Sequence, residues 1–252
     1  MEPGLWQFIL LGFVGVIAGF LNVLAGGGSL LTVPVMVFLG MPGPVANGTN
    51  RIAILAQNIS AITAFAKKGF SDFKLSLSLS ACAIPGAVVG ALLGVQLQGA
   101  WFNRILALIM VGVMLVMYFD KTGSVKQHDH EPSRTQLIRG HLLMVAVGFW
   151  GGFIQIGVGF IIMPVLNRVM GLDLVRTNMH KVFVIAAYTI AALAVFASQV
   201  PVLWVAGAAL AVGTSIGGYL GAHYSVTQGE KLIRRVLNIV LIIFIIKLLF
   251  LP

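Results

Sequence analysis

A chain of 252 residues that is 59% hydrophobic, only 9% charged and +1.01 in mean hydropathy has too few polar side chains to cover a soluble domain. It reads as an integral membrane protein whose partner is the lipid bilayer, and the net charge of +9, which in a soluble protein would point to nucleic acid, belongs to loops at the membrane surface, with no nucleic-acid partner. The single cysteine, Cys82, lies in an apolar run, so an intrachain disulfide is excluded.

The first apolar stretch, Trp6 to Leu24, follows Glu2 with no Lys or Arg before it, so it lacks the positive start of a signal peptide and reads as a retained helix. It ends in Asn22 and then Ala25-Gly26-Gly27-Gly28-Ser29. Glycine lets the backbone leave helical angles, and the N–H and C=O groups this frees are tolerated at membrane depth only against protein or a water-filled cavity. The next run, Leu30 to Leu39, is too short to span. It is expected to be a half-helix or re-entrant segment capped by Ser29, with Thr32 one turn on. Thr49-Asn50-Arg51 then places a cation at the entrance to the stretch Ile52 to Ala66, where a helix N-terminus adds donors for an anion. Gln57 and Asn58 extend that polar lining. Beyond the loop Lys67 to Lys74 lie Leu75 to Leu97, with Gly86, Gly90 and Gly94 spaced for close helix packing, and Ile105 to Phe119. In the hydrophilic connector that follows, His128-Asp129-His130 resembles a metal clip but reads as a solvated loop.

The second half repeats this order. When Pro34 is laid on Pro164, Val45 falls on Val175, Asn50 on His180, Arg51 on Lys181 and Asn58 on Tyr188. With small gaps, Gly15, Gly19, Phe20 and Asn22 fall on Gly148, Gly152, Phe153 and Gln155, and Gly86, Gly90 and Gly94 on Gly213, Gly217 and Gly221. The second break reads Gln155-Ile156-Gly157-Val158-Gly159. Nearby, Asp173, Arg176 and Arg168 are read either as an ion pair or as a gate.

Equivalent loops carry opposite charge bias. The loop holding Lys67, Lys68 and Lys74 corresponds to the uncharged Ser198 to Pro201, and the stretch Gln96 to Asn103, uncharged, to one with Glu230, Lys231, Arg234 and Arg235. By the positive-inside rule the repeats are then inverted, the connector is cytoplasmic and both termini are outside. The expected fold is an all-α integral membrane protein of two inverted-topology repeats, each of four hydrophobic elements, with broken or re-entrant helices meeting near the midplane. Residues 1–119 form the first repeat, 120–136 the connector and 137–252 the second repeat.

The candidate substrate site joins the breaks to the mirrored cations: Asn22, Gly26, Gly27, Gly28, Ser29, Asn50, Arg51, Gln155, Gly157, His180 and Lys181. Thr32, Thr49, Gln57, Asn58 and Tyr188 are its further lining. With no carboxylate evident opposite Arg51 and Lys181, a cation would be repelled and an anion accepted. Other readings of the same residues are that the glycines serve packing, that the two cations snorkel to opposite interfaces, and that His180 carries a proton. No cofactor, resident metal or catalytic residue is expected. A divalent-metal transporter would need ligands at membrane depth, and a membrane-embedded hydrolase using Ser29 and His180 lacks a Gly-x-Ser-x-Gly elbow.

The arrangement Gly19-Phe20-Leu21-Asn22, Ala25 to Ser29, Pro34 and Ala46 to Asn50 is repeated more loosely as Gly152-Phe153-Ile154-Gln155, Gly157, Gly159 and Pro164. It resembles the TauE/SafE sulfite exporter family, also called TSUP, over essentially the whole chain. The resemblance implies a multi-pass permease of the bacterial or archaeal cell membrane that moves sulfite or small organosulfur anions such as sulfoacetate, coupled to ions or protons. The second copy departs from the pattern in lacking the triple glycine and serine.

Overall fold

A computed structural model describes residues 4–97, 99–119 and 132–224, and among these it is all helical. The helices are α1 (Leu5–Ala25), α2 (Ser29–Phe38), α3 (Gly43–Lys67), α4 (Phe73–Gly94), α5 (Gly99–Phe119), α6 (Arg134–Phe153), α7 (Val158–Pro164), α8 (Leu174–Gln199) and α9 (Trp204–Tyr224), with a π turn, Val165–Val169, after α7. Residues from α1, α4, α8 and α9 form four segments long and apolar enough to cross a membrane. Large apolar side chains such as Trp6, Ile9, Phe13, Leu77, Leu108 and Leu142 are exposed on the outside of the bundle, as a lipid-facing surface requires. The chain is therefore a multi-pass membrane protein. The His128-Asp129-His130 segment, the charged residues Glu230 to Arg235 and the stretch Val236 to Leu251 lie outside the described residues.

Local chemistry sets where the helices begin and stop. α1 ends at Gly26, whose φ of 79° is left-handed and whose N–H bonds to the Asn22 carbonyl. Asp72 caps α4 by accepting from Leu75 N, and Asp173 caps α8 by accepting from Val175 N and Arg176 N. Asp173 also pairs with Arg176 at 3.5 Å. Ser133 and Gln136 form a reciprocal capping box at the start of α6. Pro164 brings no N–H to the ladder, and the helix relaxes there into the π turn.

Two local expectations need correction. Ser29 does not cap α2: Gly28 holds the cap position and no side-chain cap bond is made there. Arg51 and Lys181 are not at helix entrances, because α3 begins at Gly43 and α8 at Leu174. Both helices take in the polar residues ahead of the apolar stretch, since those residues are buried against other helices rather than left in loops.

The glycine rows determine how the helices pair. A Cβ at Gly86, Gly90 or Gly94 of α4 would strike the carbonyl oxygens of Val145, Phe149 or Phe153 of α6. In the equivalent row of α9, a Cβ at Gly213, Gly217 or Gly221 would strike those of Gly12, Val16 or Phe20 of α1. Gly148 and Gly152 complete the first seam against Ala83 and Ala87, and Gly15 and Gly19 complete the second against Leu210 and Thr214. Each pair of helices runs parallel in its seam, so the first helix of each half lies on the third long helix of the other. In the centre α3 packs on α8. Gly48 near the start of α3 meets Phe196 near the end of α8, while Ala61 and Phe65 near the end of α3 cluster with Met179 and Val182 near the start of α8. These two equivalent helices therefore cross antiparallel.

Candidate functional site

The two breaks lie back to back. Gly26 and Gly159 face each other so closely that a Cβ on either would collide with the backbone of the other. In the first break the Asn22 Oδ1 accepts from Gly28 N at 3.3 Å, and the Gly27 and Gly28 carbonyls accept from Leu30 N and Leu31 N as α2 starts, with Ser29 buried. In the second, Gln155 at φ 65° and Gly157 at φ 71° are both left-handed. That conformation is costly for a non-glycine residue, and Gln155 is held in it from both ends of its amide. Its Oε1 accepts from Arg51 Nη1 at 3.3 Å and its Nε2 donates to Tyr188 Oη at 3.2 Å.

Each break is tied by a cation from the opposite half. Arg51 of α3 donates to the Gly151 carbonyl at 3.0 Å and, very closely, to that of Gly152, both in the last turn of α6. Lys181 of α8 donates to the Val23 carbonyl at 2.7 Å and the Asn22 carbonyl at 3.3 Å in the last turn of α1, and to Asn178 Oδ1 at 2.7 Å. The last carbonyls of a helix have no intrahelical partner and carry the negative end of its dipole, which explains a cation at each end. The Arg51 guanidinium also stacks on the Phe196 ring at 4.3 Å from its centroid.

Both cations are buried to about 1% exposure or less. The acids among the described residues are Asp72 and Asp173, half-exposed or nearly so, at the starts of α4 and α8. Among the described residues no carboxylate accompanies either cation. Among the described residues the positive charge at the breaks is met by helix carbonyls, side-chain amides, an aromatic face and the Met163 thioether.

The remaining predicted residues divide. Asn50 faces α2, its Oδ1 accepting from Thr32 Oγ1 at 2.7 Å, and Thr49 Oγ1 accepts from Leu203 N at 3.1 Å. Asn58 Nδ2 donates to the Ile54 carbonyl at 2.7 Å. Several buried polar atoms along α3 have no hydrogen-bond partner: Asn47 Oδ1, Asn50 Nδ2, Arg51 Nε, both amide atoms of Gln57, and Asn58 Oδ1. They fall on one helix, between Asn47 and Asn58 of α3. His180 does not join the breaks. Its ring turns to α4, with Nδ1 2.8 Å from Ser76 Oγ.

Sequence reasoning missed Asn47, Asn178 and Phe196. Asn47 donates to the Phe153 carbonyl at 3.0 Å, beside the Arg51 contacts on α6. Its spacing from Asn50 and Arg51 places the three on one helix face, a signal that was available. Phe196 gave none, since an aromatic residue in an apolar stretch reads as core. Along α3, Val45 lines an open vestibule of about 270 Å³ together with Gln7, Met41 and Leu203. Gly48 and then Arg51 follow, with Phe196 against both. No group of three or more metal-ligating side chains occurs among the described residues.

Comparisons with known proteins agree with this architecture. The sequence model described as "Sulfite exporter TauE/SafE" matches residues 11–248. The chain is 30% identical over 245 residues to "Probable membrane transporter protein ORF9" of Sinorhizobium sp., covering 96% of this chain and 93% of that one. It is 28% identical to "Probable membrane transporter protein" of Haemophilus influenzae, covering 93% and 91%. It is 29% identical to "Probable membrane transporter protein YfcA" of Escherichia coli K12, covering 94% and 88%. No solved structure matches the chain. A match along nearly its full length, on a multi-pass helical bundle with two broken helices, places this membrane transporter in the sulfite exporter TauE/SafE family.

Proposed function

We propose that the chain is a secondary transporter of small sulfur-containing anions, sulfite or an organosulfonate such as sulfoacetate, working by alternating access and coupled to a proton or other ion. The observation that carries this reading is the pair of buried cations, Arg51 and Lys181, with no carboxylate beside them among the described residues. Taking such charges out of water costs several kcal/mol each unless they are compensated, and carbonyl dipoles offset only part of that cost. A bound oxyanion supplies the missing charge. It would take over hydrogen bonds that Arg51 now makes to the Gly151 and Gly152 carbonyls and Lys181 to those of Asn22 and Val23, loosening the tie on each break. Anion binding and helix rearrangement are thereby coupled through the same donors. Phe196, which packs on Arg51 and on Gly48 one turn along α3 from the vestibule-lining Val45, is the side chain that would move for the anion to reach Arg51. Titration of the detergent-purified chain with sulfite is expected to show saturable binding that sulfoacetate competes for and chloride does not. Absence of saturable binding by every sulfur anion tested would remove this substrate class.

We further infer that residues 1–119 and 137–252 are inverted repeats joined by a cytoplasmic connector in the cell inner membrane, with the termini outside. The antiparallel crossing of α3 and α8 and the exchange of equivalent glycine seams between the halves support this. In a Cys82→Ala background, an impermeant maleimide applied to intact cells is expected to label Ser198→Cys but not Ser71→Cys until the membrane is permeabilised. Equal labelling of both from outside would sink the inverted arrangement.

A further inference from the structure

We propose that His180 is the proton-binding residue of the transport cycle and is loaded from the α3–α4 turn through Asp72. The inference rests on the anion-transport reading and names the coupling group within it. His180 is 1% exposed, yet it is two contacts from water. Its Nδ1 lies 2.8 Å from Ser76 Oγ, and its Nε2 lies 4.0 Å from Asp72 Oδ2. Asp72 is half-exposed, and its Oδ1 is already engaged by Leu75 N at 3.1 Å as the cap of α4, which leaves Oδ2 for the ring. A separation of 4.0 Å is beyond a direct hydrogen bond and suits one bridging water. A narrow cleft with room for about one water, lined by Phe70, Ser71, Asp72, Ser76, Met179 and Phe183, opens beside the pair.

This is an arrangement for taking up a proton, not only for filling a core. Ser76 pairs with Nδ1 only, and the second nitrogen, Nε2, is aimed at a carboxylate on the water side. In the step we assign, the Asp72 carboxylate takes a proton from hydronium in the adjoining solution, releasing water, and passes it to the free lone pair of His180 Nε2 while Nδ1 keeps its own proton toward Ser76 Oγ. The products are an imidazolium and the restored carboxylate, and release retraces the path. The charged groups acting on the ring are Asp72 from α4 and, from the start of α8, Asp173 and Arg176. Lys181 is its chain neighbour, and α3 presents no charged side chain between Arg51 and Lys67.

The link to transport runs along α8. His180 precedes Lys181, whose ammonium holds the Asn22 and Val23 carbonyls at the first break. A proton on His180 adds a second positive charge to that turn of helix, which favours an anion at the break. By linkage, the anion raises the proton affinity of His180 by the same factor, typically ~5- to 150-fold for such coupled sites.

The test uses the full chain in liposomes loaded with a pH-reporting dye, with radiolabelled sulfoacetate as probe because it does not titrate near neutral pH. In parallel, the imidazole NMR signals of the histidine-labelled protein are followed from about pH 4 to about pH 8. The expected result is proton movement in step with sulfoacetate. His180→Gln should lower the proton-to-anion ratio at least about tenfold and remove one titrating signal. Asp72→Asn keeps an effective helix cap and should shift the midpoint of that same signal. A proton-to-anion ratio unchanged in His180→Gln overturns the proposal and leaves the anion reading standing. A His180 signal that stays neutral across the range, with and without sulfoacetate, also overturns it. Absence of sulfoacetate flux together with a His180 titration that responds to Asp72→Asn removes that substrate and supports the proton site.

Discussion

Arg51→Gln is expected to lower sulfur-anion binding by at least about 100-fold, equivalent to about 3 kcal/mol, and to abolish measurable transport. The wild-type side chain spans from α3 to the end of α6 and serves three acceptors there, the Gly151 and Gly152 carbonyls and Gln155 Oε1. Glutamine keeps a donor but is shorter, uncharged and unable to bridge two carbonyls in the planar fork of a guanidinium. The variant thus loses the charge that an anion would meet and leaves carbonyls at a helix end unsatisfied, a cost of about 1–3 kcal/mol for each group stranded in the interior. Destabilisation and loss of binding are separated by two further measurements. Arg51→Lys retains the charge and loses the fork, so it should bind more weakly than wild type but more tightly than Arg51→Gln. Lys181→Gln, which removes the cation from the Asn22 and Val23 carbonyls and leaves that of Val23 without its donor, should reproduce the defect at the other break. Monodisperse Arg51→Gln protein that binds sulfite as wild type does would dismiss the cation pocket altogether.

What the sequence revealed, and what it hid, follows from which physical signal each feature leaves. Glycine rows are readable because close backbone approach excludes every side chain, so the rows Gly86 to Gly94 and Gly213 to Gly221 survive as matching spacings. The mirrored cations are readable for a similar reason, since a buried Arg51 or Lys181 is costly and stands out in an apolar stretch. The direction in which a buried polar side chain points leaves no such trace. His180 and Asn50 occupy equivalent positions, yet one bonds Ser76 of α4 and the other Thr32 of α2. Helix starts were misplaced by the same blindness. Hydropathy places the helix at Ile52, whereas α3 starts at Gly43, because tertiary contacts bury Asn47, Thr49 and Asn50 as thoroughly as any leucine. The partner of each cation was likewise hidden: Arg51 and Lys181 grip the ends of helices remote in the chain, and only the fold brings those ends near.

The glycine seams carry the second large effect: Gly90→Ala and Gly217→Ala are each expected to lower the thermal stability of the purified protein by the equivalent of about 1–3 kcal/mol, with Gly90→Val and Gly217→Val failing to assemble. Helix propensity alone predicts the opposite sign, since alanine improves on glycine by about 1 kcal/mol in a helix interior. The collision outweighs it because the obstacle is main chain. A Cβ at Gly90 meets the Phe149 carbonyl oxygen and, at 2.8 Å, Phe153 N; one at Gly217 meets the Val16 oxygen and, at 2.7 Å, Phe20 N. Backbone inside a helix cannot rotate away as a flexible side chain can, so relief requires α4 and α6, or α1 and α9, to separate along the seam. Gly112 of α5 is the internal control: among the described residues nothing lies within 4 Å of a Cβ there, and Gly112→Ala should be neutral or slightly stabilising. Because each seam joins the first helix of one half to the third long helix of the other, the two act as equivalent surfaces between the halves. Equal losses of stability and flux in Gly90→Ala and Gly217→Ala are what that equivalence requires. A variant that retained its stability but lost flux would show that the seam it belongs to must shift during the cycle, whereas tolerance at only one of the two positions would mean that the halves do not share the motion.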